Sequence, residues 1–111
     1  LVAALHALFL VLEMFLWTRP TGLRAFGTTE EYARSSALLA ANQGLYNGFL
    51  VAGLVWGLAS SSAEQAFAVK TFFLCCVIVA GLFGAATVSK RIFFVQALPA
   101  LLALGLLFGG R

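Results

Sequence analysis

Charge is what this 111-residue sequence has least of: seven basic and four acidic side chains make up 10% of it. Soluble domains average about 25% charged and about 45–50% apolar residues. Here the hydrophobic share is 62% and the mean hydropathy is +1.01. A water-soluble core of this length cannot absorb that excess, which excludes a soluble globular fold and leaves an integral membrane protein of one domain. The net charge of +3 is small and confined to loops, so no nucleic-acid partner is expected. Histidine occurs once, and no metal-ligand spacing is present, which argues against a metal site. Cys75 and Cys76 are neighbours in an apolar run. Adjacent helical positions point about 100° apart, so the two cannot bridge each other and read as small hydrophobes. No cofactor can be assigned.

What is there, in place of charge, is a set of apolar runs separated by short polar breaks. They predict an all-α integral membrane four-helix bundle, with spans at about 1–17, 36–59, 66–88 and 92–108. The first run lacks a basic start and a small-residue cleavage site, so it does not read as a signal peptide. Pro20 and Gly22 are expected to end it. Thr28 and Glu31 have capping-box spacing and predict the start of the helix that enters the membrane near Ser36. Ser60 to Gln65 and Ser89 to Arg91 read as short turns, and Pro99 is expected to kink the last span. Arg19, Arg24, Arg34, Lys90 and Arg91 gather on one side of such a bundle, against Lys70 and Arg111 on the other. The positive-inside rule then places the basic loops in the cytoplasm, both termini outside, and the protein in the plasma (inner) membrane.

Against this apolar background the polar residues stand out, above all in Asn42 to Gly57. An unpaired amide in hydrocarbon costs several kcal/mol, so these groups must face protein, water or a ligand. His6, Glu13 and Trp17 fall near one line of the first helix, because seven residues make nearly two turns. Asn42, Tyr46, Phe49 and Gly53 form a stripe of the second, with Gln43 and Asn47 alongside. Ala41, Gly44, Gly48 and Ala52 form a stripe of small residues suited to close helix approach. Gln96 lies one to two turns into the last span from the same side. Counted inward from the basic loops, Glu13, Asn42, Gln43, Tyr46 and Gln96 fall in the cytoplasmic half, with His6 and Asn47 near the midplane. Their convergence predicts a polar intramembrane pocket. Structural roles compete at each position: a salt bridge from Glu13 to Arg19 or Arg91, a backbone hydrogen bond for His6, and interhelical pairing for the amides.

Four runs carry a resemblance: Leu12 to Thr18, Asn42 to Leu50, Gly81 to Thr87 and Phe94 to Ala100. Through them the chain resembles, over essentially its whole length, the small bacterial and fungal membrane proteins grouped as domain of unknown function 1304. The Asn-Gln-Gly-x-Tyr-Asn-Gly pattern at 42–48 is its most specific element. The resemblance implies a four-span membrane protein and no reaction.

Three functions compete on the sequence alone. The first is binding or transport of a small molecule or lipid head group held by Asn42, Gln43, Tyr46, Asn47 and Gln96, with Glu13 accepting a cation or proton; a conducting path would need a homo-oligomer. The second is a structural or accessory subunit whose amides and glycines are contact surface. The third is a lipid-modifying enzyme using Glu13 with Tyr46 or His6, which the poor inventory of activated nucleophiles disfavours.

Overall fold

The computed structural model describes residues 1–110; Arg111, counted above among the basic residues, lies outside the described residues. The described chain is all-α. It comprises α1 (Val2–Met14), α2 (Pro20–Phe26), α3 (Glu30–Ala59), α4 (Ala63–Thr87) and α5 (Leu98–Gly109), the last led by a π turn over Phe93–Ala97. Helices α3 and α4 are long and apolar enough to cross a membrane, and two shorter apolar helices, Val2–Met14 and Phe93–Gly109, accompany them.

Five helices replace the expected four, because the segment after α1 folds as a helix of its own. Arg19 is extended (φ −86°, ψ 158°), as a residue preceding proline prefers, and Pro20 then sits in the first turn of α2, where its missing N–H costs nothing. Gly27 closes α2 in the left-handed region at φ 64°. Pro20 therefore opens a helix besides closing the approach to it, and α1 stops at Met14, short of Trp17. The cap of α3 is shifted by one residue from the expected one: Thr29 Oγ1 accepts from the Tyr32 amide at 3.1 Å. Thr28 Oγ1 is buried with no hydrogen-bond partner.

Contacts divide the chain into two compact units. In the unit formed by residues 6–51, Gly22 seats α2 on the turn after α1. A Cβ at Gly22 would lie 1.9 Å from the Leu16 carbonyl oxygen, so no other residue fits. Trp17 ties the same turn to α3 by donating from Nε1 to Ser36 Oγ at 3.1 Å, and its ring lies 4.9 Å from that of Phe26. Along the part of α3 within this unit the buried positions are Ala33, Ala40, Gly44 and Asn47, a seam at three- and four-residue spacing.

The second unit comprises residues 1–5 and those from 52 onward. Here α4 packs on the π turn and α5. Gly81 allows the contact: a Cβ on it would lie 2.7 Å from the Ala97 amide nitrogen. The π turn accommodates Pro99. A proline collides with the carbonyl four residues back and lacks an N–H to satisfy it. The wide turn, in which the Leu98 amide donates to the Phe93 carbonyl, shifts the hydrogen-bond register ahead of the ring. At the other end of α4, Ser62 caps the helix by accepting from the Gln65 amide at 3.3 Å.

Candidate functional site

The site begins with close helix approach. Gly44 of α3 lies against α1 so tightly that a Cβ would sit 2.6 Å from Met14 Cγ, 3.2 Å from Glu13 Cβ and 3.3 Å from the Leu10 carbonyl. One turn further along α3, a Cβ on Gly48 would lie 3.0 Å from Leu10 Cδ1. These two glycines bring the helix surfaces together where α1 carries its one carboxylate. Asn47, between them and 7% exposed, donates from Nδ2 to Glu13 Oε1 at 2.5 Å.

One oxygen of Glu13 is thus tied. Among the described residues nothing donates to Oε2, and Oε2 is not among the fully buried atoms without a partner. The carboxylate therefore retains an accessible acceptor, which can take a hydrogen bond from a donor group, a cation or a proton. No ion pair involves Glu13 among the described residues.

The remaining residues are placed as follows. His6 is fully buried, its ring edge-on to Phe9 at 5.2 Å. It lies seven residues from Glu13 on the same helix, about 10 Å along the axis. Trp17 is half-buried and belongs to the turn after α1, engaged with Ser36. Asn42, Gln43 and Tyr46 are exposed. Asn42 is five residues from Asn47, which on a helix is about 140° around, so it faces away from the Glu13 contact. Gln43 is about 40° around from Asn47 and one turn earlier, at the margin of the seam. Tyr46 stands with its ring 5.9 Å from Phe49 on the exposed side. Gln96 is half-buried in the π turn of the other unit. The structure brings Glu13 and Asn47 together and sets Asn42 and Tyr46 on a different face of α3.

Two features of functional interest do not stand out in the sequence. Ser36 is the acceptor for Trp17, which only the turn geometry of residues 15–18 reveals. Lys70 registers in the sequence solely as a topology charge. Its position within apolar α4, two turns past the Ser62 cap, is the signal that sets it apart.

Comparison with known proteins agrees with the resemblance noted in the sequence. Residues 1–108 match the family described as "Protein of unknown function (DUF1304)". The uncharacterized protein YpaA of Lactococcus lactis subsp. lactis is 36% identical over 107 residues, covering 94% of this chain and 88% of that protein. No solved structure matches. Both the near-complete family match and the relative covering most of its own length lead to one assignment: the chain belongs to the DUF1304 family.

Proposed function

We propose that this protein crosses the inner membrane four times, with both termini outside, and that the Glu13–Asn47 pair is the centre of a site that binds or transports a small polar molecule or lipid head group. The observation that carries the reading is the half-satisfied carboxylate: Glu13 Oε1 is held by a buried amide while Oε2 is left available. A carboxylate within a membrane span is costly and is kept where it has a partner or a task. The bound group is one that donates hydrogen bonds or carries positive charge, since a carboxylate offers only acceptors. In this reading α1, at thirteen residues, is a short span of about 20 Å, and the bilayer thins locally or the turn after it completes the crossing.

Native mass spectrometry of the intact chain, released gently from its membrane, tests the proposal. The wild type is expected to carry a small-molecule adduct that Glu13→Gln loses; an adduct retained unchanged in Glu13→Gln contradicts it. A structural or accessory role is the second reading, favoured by one observation. Asn42 and Gln43 are exposed on an apolar helix, where amides gain from a partner helix, a second copy included. Reproducible co-purification of another membrane protein with an adduct-free chain would support it instead.

A further inference from the structure

Lys70 is the basic residue that α4 carries inside its apolar run, about 10 Å past the helix start. It is half-buried, and its stem crosses the backbone of α3 at Gly57, where a Cβ would lie 2.6 Å from Lys70 Cγ. No carboxylate pairs with it among the described residues; the ion pair there is Arg34–Glu30, and Glu64 in the first turn of α4 is exposed and unpaired with it. The lysine borders a cleft of about 350 Å³ whose other walls include Leu54, Leu58, Leu74, Leu106 and Leu107. A cavity of several hundred Å³ lined mostly by aliphatic side chains, Leu1 and Val2 among them, with a lysine at its edge to fix orientation, has the make-up of a small-ligand site.

From this geometry we infer that the cleft holds one acyl chain of an anionic membrane lipid, whose phosphate pairs with the Lys70 ammonium. The leucines match a hydrocarbon chain and offer nothing to a soluble anion. Among the described residues the ammonium has no acidic partner, and a cation held in apolar surroundings is stabilised by a fixed counter-charge. Gly57 contributes by leaving room for the lysine stem against α3, which a side chain at that position would displace. This inference concerns a different site from Glu13–Asn47 and stands or falls independently of it.

The test uses the intact chain in detergent, exposed to equal amounts of phosphatidylglycerol and phosphatidylcholine with the same acyl chains, with retained lipid read by native mass spectrometry. Wild type and Lys70→Arg are expected to prefer phosphatidylglycerol. Lys70→Met, checked for unchanged helicity by circular dichroism, is expected to lose that preference about tenfold, the worth of one charged hydrogen-bonded contact. Inorganic phosphate alone is expected not to displace the lipid. Lack of preference in the wild type, an unaltered preference in Lys70→Met, or displacement by free phosphate would each overturn the inference; the second outcome would mean that Lys70 merely extends to the membrane surface.

Discussion

Asn47 and Glu13 are 34 residues apart in sequence and joined by a hydrogen bond from amide to carboxylate, with Gly44 and Gly48 setting the separation of the helices that carry them. Small residues fix the distance and polar residues fix the register. That division of labour, and the topology it requires, can each be tested.

Glycine positions should separate sharply by what surrounds them. At Gly81 an added methyl would meet the Ala97 backbone at 2.7 Å, so Gly81→Ala is expected to destabilise the protein by about 1–3 kcal/mol through overpacking. At Gly105 no atom lies within 4 Å, so Gly105→Ala is expected to stabilise by about 0.5–1 kcal/mol through helix propensity. Thermal unfolding in a single detergent measures both. Equal effects at the two positions would contradict the packing of α4 on the π turn.

The start of α3 gives a second contrast. Thr29→Ala removes the side chain that accepts from the Tyr32 amide and is expected to cost about 0.5–2 kcal/mol. Thr28→Val replaces a buried hydroxyl that has no partner and is expected to be neutral or stabilising. Denaturation of the two variants side by side decides the matter, and a larger loss at Thr28 would restore the cap expected from the Thr28–Glu31 spacing.

Topology can be tested without knowing any ligand. With four crossings, both termini share a side with Ser61, opposite Lys90. If α3 and α4 alone cross, the termini lie with Lys90. Impermeant thiol labelling at single cysteines in a Cys75→Ser, Cys76→Ser background is expected to place terminal positions with Ser61. Labelling of the termini together with Lys90 would reduce the protein to two crossings.

How much of the fold and site is legible in the sequence follows from where polarity and periodicity carry information. The turns at 60–62 and 88–90 are readable because a short polar break between long apolar runs marks a connection between helices. Helix α2 is not readable, because Pro20 both ends one segment and begins the next, and seven residues are too few to display a period. The face of α3 is harder still. In a helix that is apolar almost all round, hydrophobicity does not tell inside from outside, so Asn42 and Asn47 look equivalent. The discriminating signal lies in the small residues. Asn47 continues the three- and four-residue spacing of Ala33, Ala40 and Gly44, and Asn42 does not. The expected small stripe at 41, 44, 48 and 52 falls slightly around the helix from that buried seam, and Ala52 is exposed.

The proposed site depends most on the meeting of Glu13 with Asn47, and a double-mutant cycle measures it directly. Glu13→Ala, Asn47→Ala and the double variant are unfolded reversibly in bicelles, and the coupling energy is taken from the non-additivity. A hydrogen bond between helices predicts coupling of about 0.6–1.7 kcal/mol. Strictly additive losses would mean that the carboxylate and the amide do not interact, and the proposed site would have no centre.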